Sequence, residues 1–391
     1  MFQSDWPEFS PQERMAVEAI LTSGKVNYWT GGEGRAFENE FAEFAESNYA
    51  IAVSNGTVAI DLIIKALDLP AKSEVIVTPR SFIASASTLL LNDLVPVFVD
   101  VDPDTQNITV ENVAAAITTH TSAIICVHLN GVPCDMDPLL ELAKDRSILV
   151  IEDCAQAHGA RYKDRSVGSL GDAAAWSFCQ DKIISSGGEG GMITTNNKVI
   201  WQRIWESKDH GKNYEKMFSK SKKKGFNWVH DSIGSNHRMT EIQSAIGRIQ
   251  LSNMAETTLR RTTNASLLTG VLEQFSFIRI PKNPDYSTPA WYKYYCFVED
   301  AIDTRSVLRD RIVDELNAIG IDCMQGCCGE IYRELGFDQH NYRVVGSIEN
   351  SRVLFETSIC FKVDPTLSDG KMQAICEKVK TKLIELSKEY V

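Results

Sequence analysis

The sequence predicts an α/β protein, with a large, mostly parallel central sheet sandwiched by helices and a smaller α/β domain at the C-terminus. Three observations predict it. Short β-rich apolar runs alternate with helical ones from residue 50 onward, the alternation loosens after Phe178, and a long helical stretch then leads into a second, shorter set of strands and helices. The 391 residues can bury a large core and suggest two or three lobes. We place the division near residue 255, with 1–255 as the large domain and 256–391 as the small one.

Before the alternation begins, two helices are signalled. Ser10, Pro11 and Glu13 form an N-cap, N1 and N3 set, and Gly24 closes the segment. The second helix carries Phe37, Phe41 and Phe44 at helical spacing, an apolar stripe expected to face the core. The alternating runs follow: Ala50–Ser54 then Val58–Leu67, Glu74–Thr78 then Ala84–Leu91, Val95–Val101 then Val110–Ile117, Ser122–Leu129 then Pro138–Asp145, and Ile148–Glu152. Beyond Ala173–Phe178 come a glycine-rich loop, Gly187 to Gly191, and a strand-like Met192–Thr195. A long helix is expected from Met239 to Phe275, strands at Phe277–Pro281 and Tyr294–Val298, and helices near Ser306–Ile319 and Gly370–Leu386.

Composition excludes several function classes. A formal net charge of −12 argues against a dedicated nucleic-acid binder, which needs clustered Lys and Arg. No apolar run approaches the roughly 20 residues of a membrane helix. The N-terminus, Met1-Phe2-Gln3-Ser4-Asp5, lacks the basic and apolar regions of a signal peptide. Ten cysteines are scattered without a disulfide framework, so a reducing cytoplasm is expected. Cys323, Cys327 and Cys328 lie close in sequence, but no second Cys or His pair completes four ligands, and no metal is expected.

In open α/β sheets, ligands bind at the carboxyl ends of strands, and four short segments fall there or just before a helix. Ser54-Asn55-Gly56-Thr57 joins a strand to a helix, where a glycine lets backbone N–H groups and the helix dipole approach an anion; a plain turn reads the same way. Glu152-Asp153-Cys154-Ala155-Gln156 ends a strand. A carboxylate there caps a helix or, facing a pyridine nitrogen, favours the protonated ring that serves as an electron sink. Ser177-Phe178-Cys179-Gln180-Asp181-Lys182 follows an apolar strand and precedes the glycine-rich turn, a position suited to a lysine that bonds a cofactor aldehyde. Gly234-Ser235-Asn236-His237-Arg238 precedes the long helix and alone would pass for a cap. His158 and His210 are tempting catalytic groups, although imidazole serves structural roles as readily. The lysine-rich stretch Lys216, Lys220, Lys222, Lys223 and Lys224 reads as a solvated charge run, or, lying just before Asn236, as one that reaches the same cleft.

On these motifs the chain resembles the sugar aminotransferase branch of fold-type-I pyridoxal 5′-phosphate (PLP) enzymes, the DegT/DnrJ/EryC1/StrS family. The resemblance runs from Gly24-Lys25-Val26-Asn27-Tyr28-Trp29 to the C-terminal domain. Its most specific part is Glu152-Asp153-Cys154-Ala155-Gln156-Ala157, then Ser177-Phe178, Lys182 and Gly188-Glu189-Gly190-Gly191. It implies that Lys182 carries the cofactor and shuttles protons and that Asp153 pairs with the pyridine nitrogen. Gln156 would lie near the phenolic oxygen, and Phe82, in Thr78-Pro79-Arg80-Ser81-Phe82, would stack on the ring. Gly56, Thr57 and Ser177 would hold the phosphate, with Asn236 reaching it from the partner subunit of a homodimer. Cys179, Gln180 and Asp181 replace the more usual His-Pro-Thr of the family, and the common Leu-Pro segment is missing near Ile359.

The implied reaction is transfer of an amino group from L-glutamate, leaving 2-oxoglutarate, to a nucleotide-linked keto sugar. The expected acceptor is C4 of a UDP- or dTDP-4-keto-6-deoxyhexose, with C3 amination as the variant, in amino-sugar and lipopolysaccharide biosynthesis. A PLP-dependent sugar dehydratase on the same fold would replace the lysine by histidine. A ligand-sensing regulator would lack the lysine or carry a DNA-binding segment. A nicotinamide dehydrogenase would need a Gly-x-Gly-x-x-Gly turn, which Asn55-Gly56-Thr57 does not supply.

Overall fold

The computed structural model of the chain describes residues 4–219, 225–299 and 305–390. Helix α1 (Pro11–Ser23) begins with the expected reciprocal capping box between Ser10 and Glu13 and stops at Gly24 in the left-handed region, φ 67°. Helix α2 (Glu33–Phe44) follows, and Phe37 and Phe41 are fully buried against Trp176 and Phe178. Each such phenyl ring contributes about 1.5–3 kcal/mol by leaving water.

The alternating segment forms β1 (Tyr49–Val53), α3 (Gly56–Leu67), β2 (Glu74–Val77), α4 (Ala84–Leu91), β3 (Val95–Val99), α5 (Val110–Ala116), β4 (Thr121–Val127), α6 (Met136–Arg146) and β5 (Leu149–Asp153). Then come β6 (Ala173–Ser177), β7 (Gly191–Thr195) and α7 (Lys198–Lys208). The sheet order is β1-β7-β6-β5-β4-β2-β3, and only β7 runs antiparallel to its neighbours. Strand alternation divides the side chains between two cores. Ile151, Ala173 and Ala175 pack toward α3 and α4, whereas Val150 lies in the opposite core with Met136 and Leu139.

The expected single helix from Met239 to Phe275 is two: α8 (Glu241–Ser252) and α9 (Met254–Leu272). Asn253 breaks them at φ −94°, ψ 2°, where its N–H turns back to Gln250 in a tightened last turn. A second sheet, antiparallel throughout, contains β8 (Ile278–Arg279), β9 (Tyr294–Val298), β10 (Cys323–Met324) and β12 (Ser358–Phe361), in the order β8-β9-β12-β10. It packs with α9, α10 (Arg305–Ala318) and α12 (Asp369–Tyr390) around its own apolar cluster.

The path between those strands holds a feature that the sequence reading did not contain. Residues 331–345 cross back to the first core: Ile331 and Phe337 join its cluster, and β11 (Arg343–Val345) adds an eighth strand beside β3. Arg343 fixes that edge through both Glu74 carboxylate oxygens, each at 2.9 Å. Helix α11 (Glu349–Thr357) then leads into β12.

Candidate active site

The carboxyl ends of β1, β4, β5 and β6 meet the starts of α3 and α4 around a cavity of about 550 Å³. Gly56, Thr57, Phe82, Asp153, Gln156, Ser177 and Lys182 all line it. Asn236 does not; it is exposed on its own chain, where its backbone bridges Asp209.

At one end of the cavity, Asn55 caps α3 by accepting from the Val58 N–H at 2.9 Å. Gly56 is required there by close approach, because a Cβ on it would stand 2.7 Å from the Ser177 Cβ. That contact brings the Ser177 hydroxyl to the first turn of α3, whose unpaired N–H groups and dipole favour an anion. The Arg80 guanidinium shapes the adjoining wall. It is fully buried and bonds Gln106 Oε1 at 2.8 and 3.0 Å and the Cys327 carbonyl at 3.1 Å. The turn it holds presents Phe82, which remains 66 % exposed as an apolar face for a flat ring.

Across the cavity, Asp153 is 6 % exposed and accepts from Ser85 Oγ at 2.7 Å and from the Ala155 N–H at 3.1 Å. Ser81 lies 2.8 Å from the Ser85 hydroxyl and steadies it. Two bonds leave the carboxylate capacity for a further donor from the cavity. Gln156 Oε1 accepts from the Asn130 N–H at 2.8 Å, so its Nε2 is left to donate.

Lys182 stands on the loop after β6. The glycine-rich turn folds beneath this loop through Phe178 N–H to Gly190 (2.7 Å) and Gln180 N–H to Gly188 (3.0 Å), with Gly187 and Gly188 at φ 83° and 121°. The Lys182 carbonyl accepts from Trp6 Nε1 at 2.9 Å, which ties the N-terminal segment to the site. The lysine Nζ, on a side chain 15 % exposed, reaches the Tyr292 hydroxyl at 3.5 Å. Cys179 also lines the cavity. Burial, then the Glu189 and Asp181 carboxylates, pushes its thiol up, so it stays protonated and is a poor nucleophile.

Trp6, Ser85 and Tyr292 were missed by sequence reasoning. Ser85 sits on what reads as an apolar helix, and Trp6 and Tyr292 lie far along the chain from the motifs they serve. His158 is fully buried against Trp176 and Phe178 rather than on the cavity wall. Burial, then the positive charges of Lys182 and Arg261, depresses its pKa to about 3. His210 is exposed, with φ 59°, and its N–H bonds the Ser235 carbonyl. Lys216 pairs with Asp231 at 2.5 Å, while Lys220, Lys222, Lys223 and Lys224 lie outside the described residues.

Among the described residues, one trio of potential metal ligands gathers behind the sheet: His128, Glu152 and Cys154. The carboxylate and the imidazole of this trio are already engaged. Glu152 Oε1 accepts from the Leu170 and Gly171 N–H groups, both at 2.8 Å. Its Oε2 accepts from Gly168 N–H at 2.9 Å and from His128 Nε2 at 3.0 Å. His128 Nδ1 accepts from the Cys134 N–H at 3.1 Å, which fixes the Nε2–H tautomer. Cys323 belongs to the second core, whereas Cys327 and Cys328 pack on the first, so the three cysteines do not converge.

An anion cradle, a buried carboxylate opposite it, an amine on the wall and an aromatic face fit the phosphate, ring nitrogen, aldehyde carbon and ring of PLP in turn. Fold and site together define a PLP-dependent transaminase. The chain belongs to the DegT/DnrJ/EryC1/StrS aminotransferase family, whose pattern it matches over residues 7–380. It is 36 % identical over 315 residues to the GDP-perosamine synthase of Escherichia coli O157:H7, covering 79 % of this chain and 81 % of that one. It is also 36 % identical over 294 residues to the dTDP-3-amino-3,6-dideoxy-alpha-D-galactopyranose transaminase of Aneurinibacillus thermoaerophilus, covering 75 % and 76 %. Among solved structures it is similar to an aminotransferase from Psychrobacter cryohalolentis, at 45 % identity and TM-score 0.94, covering 98 % of this chain and 99 % of that one. No helix among the described residues is long and apolar enough to cross a membrane.

Proposed function

We propose that this protein moves an amino group from L-glutamate to the ketone of a nucleotide-linked sugar, with C4 of a UDP- or dTDP-4-keto-6-deoxyhexose as the acceptor. The product would enter cytoplasmic synthesis of amino-sugar polysaccharide such as lipopolysaccharide. The observation that carries this reading is the placement of Lys182 Nζ on the wall of the cavity that Asp153 also lines.

Bound PLP supplies the electrophilic carbon that holds the amino group between donor and acceptor, and a ring that takes up electrons. The chain supplies the rest. Lys182 holds the cofactor and, once released, takes and returns a proton at the substrate carbon. Asp153, held by Ser85 and the Ala155 N–H, favours the charged ring nitrogen. The first turn of α3, with Gly56, Thr57 and Ser177, holds the phosphate; Gln156 Nε2 is placed to donate to the phenolic oxygen, and Phe82 covers the ring. The dehydratase alternative is disfavoured by Lys182, where such relatives carry histidine.

The working unit in this reading is a homodimer in which Asn236 serves the partner's cofactor, a role supported by its exposure on its own chain. Mixed dimers of inactive Lys182→Ala and Asn236→Asp chains would then regain one intact site of two, and mixed dimers without activity would refute the sharing. The substrate reading is tested by single-turnover mass spectrometry of the amine-loaded enzyme against GDP-, UDP- and dTDP-linked keto sugars. The expected product carries an amine in place of the ketone. Loss of water without gain of nitrogen would favour the dehydratase, and no change with any nucleotide sugar would count against the substrate class.

A further inference from the structure

A neighbour in sequence and a residue far along the chain converge on Lys182 in a way that the transaminase reading leaves unused. Asp181, the residue immediately before it, folds its side chain back beside the amine, with Oδ1 3.9 Å from Nζ. Tyr292, just ahead of β9, donates its phenolic hydrogen to Asp181 Oδ2. The same Tyr292 oxygen accepts from Lys182 Nζ at 3.5 Å, and the amine also lies 4.8 Å from the centroid of the Tyr292 ring. The order of donation is therefore lysine to tyrosine to aspartate.

Tyr292 is firmly held. It is buried, and its N–H bonds the Asn130 carbonyl at 3.2 Å. The carbonyls of Trp291 and Tyr292 both accept from Nη1 of the buried Arg261 at 3.1 Å, and that guanidinium also faces the Trp6 ring at 5.6 Å. Trp6 in turn pins the Lys182 carbonyl. Burial, then the charge and hydrogen bond of Asp181, raises the Tyr292 phenol far above its ordinary range, so the hydroxyl keeps its proton and acts as a donor. Burial tends to raise the Asp181 carboxyl, but the Lys182 charge and the Tyr292 hydrogen bond outweigh it and hold it below the usual value. Asp181 is thus an anion at neutral pH.

We propose that Asp181, tethered by Tyr292, is the counter-ion and positioning residue of the Lys182 nitrogen. This rests on the reading that Lys182 carries PLP. A carboxylate beside that nitrogen favours its protonated form, whether the amine is free or bonded to the cofactor carbon, and fixes its direction within the cavity. The other ionisable groups facing this pair are Asp153 and Glu189 on the cavity wall, Lys293 beside Tyr292, Arg261 beneath it, the thiols of Cys179, Cys327 and Cys360, and His158 behind β6. Among them Asp181 is the carboxylate in ion-pair contact with Nζ. An opposite charge at this range shifts a titration by roughly one to three pH units, and the 54 % exposure of the Asp181 side chain places the effect at the low end, about one unit.

The test is the visible absorbance of the PLP-loaded enzyme as a function of pH, with the melting temperature recorded alongside. Removing the anion disfavours the protonated nitrogen, so Asp181→Asn should lower the midpoint by about one pH unit without changing the melt. Tyr292→Phe, which loosens the tether but keeps the charge, should shift it the same way by less. Asp181→Glu should recover at least part of the shift. An unchanged midpoint in Asp181→Asn, with the borohydride-fixed cofactor still mapping to Lys182, overturns this proposal and leaves the transaminase reading standing. A cofactor fixed on another lysine overturns both.

Discussion

Glu152 and Asp153 are neighbouring carboxylates at the end of one strand, and the two faces of that strand give them opposite tasks. Glu152 points behind the sheet, is fully buried, and accepts from three backbone N–H groups and from His128. Nothing in that arrangement is left for a ligand; it locks the turn at residues 168–171 against β5. Asp153 points into the cavity, accepts from one hydroxyl and one N–H, and keeps lone pairs to offer. Burial alone therefore does not identify a functional carboxylate. The count of donors already spent on each side chain does.

The comparison breaks if the two residues respond alike to loss of charge. Asp153→Asn should slow the half-reaction with glutamate by roughly ten- to a thousandfold, since the lost charge is worth roughly one to three units at the ring nitrogen and each unit is a factor of ten. Stopped-flow absorbance measures this, and the melting temperature and PLP affinity should change little. Near-normal rates would remove Asp153 from its proposed role.

Glu152→Gln should do the reverse, destabilising the fold by about 3 kcal/mol because an amide cannot accept all four hydrogen bonds, while the rate per folded molecule stays near wild type. Urea titration reads the stability. The pH dependence sharpens the test. Burial opposes ionisation of Glu152, yet the hydrogen bond from His128 and those from the backbone amides hold its carboxyl below the ordinary 4.5. A depressed folded value means that the stabilisation is present above 4.5 and is lost as the pH falls through the lower folded value. The gap between wild type and Glu152→Gln should therefore narrow below that pH. A gap that stays constant would show that the carboxylate charge is not what holds the turn.

Much of this was legible in the sequence, and for identifiable reasons. The parallel strands are apolar on both faces, so they appear as short continuous runs between helical ones. The start and stop of α1 are written in Ser10, Glu13 and Gly24. The expected site residues stand near strand ends in an ordered motif, and all but Asn236 line one cavity. What escaped had little local signal. β11 is three residues long and adds to an edge from far along the chain. The break at Asn253 interrupts an otherwise helical pattern by one residue. Trp6, Arg261 and Tyr292 act on Lys182 only because the tertiary fold brings them together. Asp181 was visible only as a departure from the family pattern, and its geometry is what gives the departure a meaning.

The central claim is that the cavity was built around the nitrogen of Lys182. Borohydride reduction of the PLP-loaded protein, followed by proteolysis and peptide mass mapping, addresses it directly. The account predicts loss of the visible band and a single reduced cofactor adduct on Lys182, with Lys182→Ala still binding PLP but losing turnover. An adduct on another lysine, such as Lys293 beside the Tyr292 ring, or full turnover in Lys182→Ala, would contradict it.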